Sequence, residues 1–196
     1  MSVEFARSLQ LWDRGGRRKY LTLKERVRFM QMANSRDNET KLFCLVMTLT
    51  GARISEVLEL TPQQLDAGML CVIYRTLKRR QLIFRSVPLP SKLMRELVAL
   101  TWTMPRDEPI WRWCRQTAWQ RVKDVMQAAG IEGIHATPKG LRHAFGIAAA
   151  EKNITLAVIA RWMGHSSIET TMIYLEALGQ EERRFARRLW HDYARL

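Results

Sequence analysis

Arg53, Lys139, Arg142, His165 and Tyr174 are the residues of this 196-residue chain whose types and spacing can do chemistry on a phosphate. Breaking a phosphodiester without a metal requires a nucleophile, cationic donors for the non-bridging oxygens and an acid for the leaving oxygen. A guanidinium suits the donor role, since its planar fork meets two oxygens and stays charged at every relevant pH. Tyr174 carries a nucleophilic oxygen, and His165 can donate a hydrogen bond to developing charge. Taken singly, each has a plain structural reading. Arg53 in "TGARISE" can make an i,i+3 contact with Glu56, and Lys139 with Arg142 can be a solvated basic face. A lone His165 can be structural, and Tyr174 can be a boundary tyrosine.

The elements that position these residues are legible from caps and periodicity. A helix is expected from Thr22, with Leu23, Val27, Met30 and Phe29 on its apolar side. A second runs from about 38 to 50 and ends at Gly51, which leaves Arg53 at the start of the short helix "ARISEVLEL". "TPQQ" at 61–64 reads as one helical turn with Thr as N-cap and Pro at N1. The stretches "MLCVIYRTL" and "QLIFRSVPL" flank the basic tip "KRR" and predict a hairpin. Helices are then expected over 91–102, 116–129, 138–152, 155–163, 167–178 and 180–194. Thr137 and Pro138 form an N-cap and N1 pair that puts Lys139 and Arg142 in the first turns of one helix. Gly164 is expected to end a helix, and "SSIE" to be a capping box with Ser166 as N-cap and Glu169 at N3. In the following helix Ile168, Met172 and Leu175 predict a buried stripe, with Tyr174 about 120° from its centre. Residues 1–20 read as a loosely held basic arm and 21–196 as one domain. The fold class is mainly α with a small antiparallel β-sheet (α+β).

Composition narrows the partner. Thirty-two Lys and Arg against nineteen Asp and Glu leave a net charge of +13. An excess of this size, spread over 14–19, 77–80 and 183–188, fits a folded surface that wraps a polyanion such as nucleic acid. The 47% apolar content is that of a globular chain. No run reaches bilayer length, and the N-terminus lacks the apolar core of a secretion signal. Cys44, Cys71 and Cys114 lack CxxC spacing and read as reduced core thiols of a cytoplasmic protein. No metal-ligand spacing, phosphate-cradling Gly-rich loop or GxSxG elbow occurs, so neither a metal nor any other cofactor is expected.

"TG-x-R-x-S-E", the basic hairpin tip, "K-x-L-R-H" and "GH-S-S-x-x-T-T-x-x-Y" occur in that order between about Leu21 and Leu178. In order and spacing they resemble the tyrosine recombinase family, that is, the phage integrase catalytic domain. The resemblance implies that Arg53 and Arg142 clamp a scissile phosphate in double-stranded DNA. Tyr174 would attack to leave a 3′-phosphotyrosyl bond, and His165 would hydrogen-bond the phosphate. Lys78 at the hairpin tip would protonate the 5′ oxygen, and Glu56 would orient Arg53. Arg75, Arg79 and Arg80 on the hairpin, with Arg17, Arg18 and Lys19 in the arm, would meet the duplex. Lys139 stands where the family usually has His. It suits an electrostatic role, and to accept a proton its pKa would have to fall well below the ordinary value of about 10.4, which neighbouring arginines could help bring about. With about twenty residues before the expected catalytic domain, the chain is expected to be without the family's N-terminal clamp and resembles short members such as the invertases that switch fimbrial genes. A homotetramer on DNA, possible help from an accessory protein, and docking of the last helix on a neighbour follow from the same resemblance. A type IB topoisomerase and a regulator of recombinase ancestry are the rival readings.

Overall fold

The structure, a computed structural model, describes residues 11–78 and 81–175, with backbone alone over 76–78 and 81–83. Thr22 opens α1 (Leu23–Asn34) with a capping box, its side chain accepting from the Glu25 amide while Glu25 accepts from the Thr22 amide. The inward face of α1 runs through Phe29 and Ala33, whereas Leu23 and Val27, expected inside, are exposed. Asp37 caps α2 (Asn38–Thr50), which is buried along most of its length and forms the centre of the molecule. It ends at Gly51, where a positive φ of 63° and the Phe145 ring, 2.4 Å from where a Cβ would stand, both demand glycine. Arg53 is then the N-cap of α3 (Ile54–Leu58), and a single 3-10 turn covers Pro62–Gln64.

The sheet has the order β1 (Leu65–Asp66), β2 (Cys71–Lys78), β3 (Gln81–Pro88), all antiparallel. The hairpin register runs from Cys71↔Pro88 to Lys78↔Gln81, and Arg79 and Arg80, expected at the tip, lie outside the described residues. Alternation puts Arg85, Val87 and Leu89 on the buried side. Four helices follow: α4 (Ser91–Thr101), α5 (Arg115–Ala128), α6 (Pro138–Glu151) and α7 (Leu156–Met163). As expected, Thr137 caps α6 and Pro138 sits in its first turn. Cys44 and Cys71 are buried, but Cys114 is exposed, its sulfur capping α5 by accepting from the Thr117 amide. Among the described residues no helix is long and apolar enough to cross a membrane. The architecture is mainly α with a small antiparallel sheet.

The segment after α7 departs from expectation. In place of one helix over 167–178, the chain forms the four-residue α8 (Glu169–Met172) and a 3-10 turn over Ile173–Leu175. Ile168, not Ser166, is the N-cap of α8, and it makes no side-chain cap bond. The stripe is also reversed: Ile168, Met172 and Leu175 are 44%, 49% and 55% exposed, while Thr171 and Tyr174 point inward. Two contacts select that face, a hydrogen bond between Thr171 and His165 and a seat for the Tyr174 ring on Gly146 of α6. The expected helix over 180–194 lies outside the described residues.

The segment expected to be a loose arm is described from Leu11 onward. Leu11 is buried in a small apolar cluster with Phe145, Met163 and Tyr174. Trp12 bridges Arg18, and the Arg18 guanidinium meets both Glu25 oxygens at 2.6 Å. Two anchors, one buried and apolar and one half-buried and ionic, thus tie the segment to the domain.

Candidate active site

Five elements converge on one cleft of about 670 Å³. The turn before α3 supplies Arg53, the first turns of α6 supply Lys139, Arg142 and His143, and the junction after α7 supplies His165 and Ser166. Thr170 and Tyr174 complete that side, while Arg115 and Trp119 of α5 line the cleft as well.

Arg142 is half-buried and spends two donors on backbone: one to the Gly51 carbonyl at 2.6 Å, the other to the Met163 carbonyl at 2.7 Å. It therefore joins the C-termini of α2 and α7, where a cation is favoured by the exposed carbonyls. Burial, then the nearby charge of Arg53, pushes its pKa down to about 10, so it stays charged at neutral pH. Arg53 is half-exposed. Its amide and its guanidinium both donate to Glu56, at 2.7 and 3.0 Å.

Glu56 has a second partner that the sequence reading missed. Arg85 of β3 donates to Glu56 at 2.8 Å and to the Trp162 carbonyl at 3.0 Å, and its guanidinium covers the Tyr74 ring at 4.8 Å. Burial works against ionisation of Glu56, but Arg85 and Arg53 outweigh it and hold the carboxyl below its ordinary range. Arg85 and Arg142 thus take the two adjacent carbonyls that end α7, fixing the loop that carries His165. The available signal was alternation: an arginine in step with Val87 and Leu89 on a strand must be buried, and a buried charge needs a partner.

Tyr174 is only 3% exposed although it lines the cleft. Its ring stacks on His165, centroids 6.1 Å apart and planes 19° from parallel. A Cβ on Gly146 would stand 2.5 Å from the ring, so this glycine makes room for Tyr174. Its hydroxyl lies 3.4 Å from His143 Nδ1. Burial raises its pKa to about 12 despite the opposing charges of Arg142 and Arg53. His165 Nδ1 lies 2.8 Å from the Thr171 hydroxyl, and burial followed by Arg142 and Arg53 pushes its pKa down to about 3. It is therefore a neutral imidazole. Lys139 is pulled below its ordinary value by desolvation and then by Lys19. His143 and Thr171 stood inside the quoted motifs, but spacing alone assigned them no role.

Not every expected residue lies at this cleft. Lys78 ends β2 opposite Gln81, and its side chain, like Arg79 and Arg80, is outside the described residues. Arg75 is exposed on β2. Arg17 pairs with Asp13 and Arg18 with Glu25, so both serve the turn of residues 11–20.

The phage integrase family profile matches residues 19–181. Tyrosine recombinase XerA of Pyrococcus furiosus is 26% identical over 166 residues, which cover 80% of this chain and 56% of the relative. Tyrosine recombinase XerD of Vibrio vulnificus is 42% identical over 60 residues, 31% of this chain and 20% of that one. The chain thus spans little more than half the length of the XerA relative. Among solved structures, XerH recombinase in a post-cleavage complex with a palindromic difH substrate aligns with a TM-score of 0.75 at 18% identity, over 88% of this chain and 53% of that one. The catalytic domain of bacteriophage HP1 integrase aligns with a TM-score of 0.62 at 21% identity, over 80% and 86% of the respective chains. These likenesses carry the fold, and the profile match carries the assignment. The chain belongs to the phage integrase family.

Proposed function

We propose that the protein is a site-specific DNA recombinase that cuts and rejoins double-stranded DNA through a 3′-phosphotyrosyl intermediate. The observation that carries this reading is the shared cleft of Tyr174, Arg53, Arg142 and His165. Arg142 is fixed by two carbonyls, so its remaining donors are pre-aimed, and Arg53 is exposed enough to reach an incoming phosphate. These two cations supply the charge that a developing phosphorane needs. Neutral His165 donates to a third oxygen as charge grows. Lys139 adds positive field at the mouth, and Lys78 protonates the 5′ oxygen. The bond energy is retained in the phosphotyrosyl link, so rejoining needs no nucleotide. Arg75, Arg79, Arg80 and Lys19 meet the phosphate backbone, and the +13 charge makes that grip steeply salt-dependent. The working form is a tetramer on two duplexes in the cytoplasm.

The test uses a supercoiled plasmid carrying two copies of the DNA that flanks the gene, in EDTA. Recombinant circles that depend on Tyr174 support the reading. Relaxation without exchange of flanks would show a topoisomerase instead, and tight binding with neither product would show a regulator.

A further inference from the structure

Tyr174 must lose a proton as it attacks, and the cleft offers no obvious place for it. A lysine that keeps its proton has no lone pair, which disfavours Lys139 although desolvation and then Lys19 lower its pKa, and Arg53 and Arg142 are charged. His143 is different. It sits one residue after Arg142 on α6, is buried, and places Nδ1 3.4 Å from the Tyr174 oxygen with ring centroids 6.0 Å apart. Its other ring nitrogen, Nε2, is buried with no hydrogen-bond partner among the described residues. Leaving a buried ring nitrogen unpaired is costly, and a purely structural histidine would avoid it.

We propose that His143 is the general base of strand cleavage, its Nδ1 taking the phenolic proton of Tyr174 as the oxygen attacks phosphorus. This rests on the recombinase reading above. The Tyr174 O–H bond breaks as the O–P bond forms, the P–O5′ bond breaks, and Lys78 gives its proton to the 5′ oxygen. Rejoining returns both protons by the same route. For Nδ1 to accept, the ring proton must be on Nε2, the orphaned atom. The groups facing His143 are Lys139 and Arg142 on its own helix, Lys19 from the segment before α1, and His165 and Tyr174 across the cleft. Burial, then these cations, holds the free protein's imidazole neutral, its pKa pushed down to about 3. A bound phosphodiester and the added negative charge of the transition state offset the same cations, so proton affinity rises when the proton must move. The 3.4 Å separation is long, as catalytic hydrogen bonds often are before substrate tightens them.

Two measurements decide it. In the DNA-free protein, nitrogen NMR of histidine should show His143 with its proton on Nε2 and a hydrogen-bonded Nδ1 whose resonance moves in Tyr174→Phe. A proton on Nδ1 would overturn the proposal, and this readout needs no variant of His143 to fold. The second follows the rate of covalent adduct formation on supercoiled plasmid carrying the flanking DNA, from about pH 6 to pH 9, in wild type, His143→Asn and His143→Phe. Asparagine keeps an acceptor beside the hydroxyl but cannot take its proton. Both variants should be slower by about 100-fold near pH 7 and recover by roughly tenfold per pH unit as hydroxide replaces the base. Losses that are equal at every pH, or no loss, would overturn the base role alone. Absence of any wild-type adduct would defeat the recombinase reading and the base role together.

Discussion

Glu56 and its two arginines separate positioning from catalysis. The Arg85–Glu56 pair is closed to solvent, with side chains 5% and 10% exposed, whereas Arg53 is 47% exposed. Removing one partner of a buried pair strands the other charge and costs about 3–5 kcal/mol, while an exposed pair contributes about 1 kcal/mol or less. Arg85→Met should therefore lower the urea midpoint sharply, and Arg53→Ala should leave the midpoint nearly unchanged while abolishing adduct formation. The reverse pattern would reassign both residues. Thr171 makes a finer point. A neutral His165 can donate from Nε2 only if Nδ1 accepts, and the Thr171 hydroxyl at 2.8 Å is the donor in place. Thr171→Val, nearly equal in volume, should slow adduct formation about tenfold, and Thr171→Ser should retain it. Equal slowing in both would mean that packing, not the hydroxyl, matters.

Among the elements, α6 does the most positioning, because it carries Lys139, Arg142, His143 and the Gly146 seat of Tyr174. Gly146→Ala would drive a methyl group into the ring and push the tyrosine out of its place. Alanine is the better helix former, so loss of cleavage with DNA affinity and helix content intact is the expected result, read by adduct gels and circular dichroism. Unimpaired cleavage would mean that the ring sits elsewhere when it reacts. What the sequence showed of these elements follows from local physics. Thr22, Thr137, Gly51 and Gly164 mark helix ends because caps are decided by nearest neighbours, and they fall where expected. The reversal of α8 shows the limit of periodicity. A pattern of Ile168, Met172 and Leu175 says that three residues share a face but not which way the face turns. That was decided by a cavity over Gly146 and by a hydroxyl beside His165, both supplied from elsewhere in the chain. Arg85 escaped notice for the same reason: its partners Glu56 and Trp162 are 29 and 77 positions away.

At the scale of the molecule, assembling cations around buried imidazoles makes the fold sensitive to acid. His143 and His165 are held near 3 and His135 is also lowered, all from an ordinary value of 6.5. A depressed folded-state pKa means that the unfolded chain binds more protons below 6.5, so this stability is fully present above that pH and is lost as pH falls towards 3. The lowered carboxylates Glu25 and Glu56 add their own loss only below about their ordinary 4.5. The urea midpoint should thus fall between about pH 6.5 and 4.5, and His143→Phe should flatten that fall. A midpoint indifferent to pH in this window would mean that the histidines are not buried as neutral rings. The central claim is that this charge and burial serve one oxygen, that of Tyr174. Its most direct test is to trap the protein on flanking-DNA plasmid in EDTA, digest the adduct and sequence the nucleotide-bearing peptide by mass spectrometry. The expected product is a 3′-phosphate ester on Tyr174 and a free 5′ hydroxyl on the cut strand. A nucleotide on any other residue, or a 5′-linked one, would contradict it.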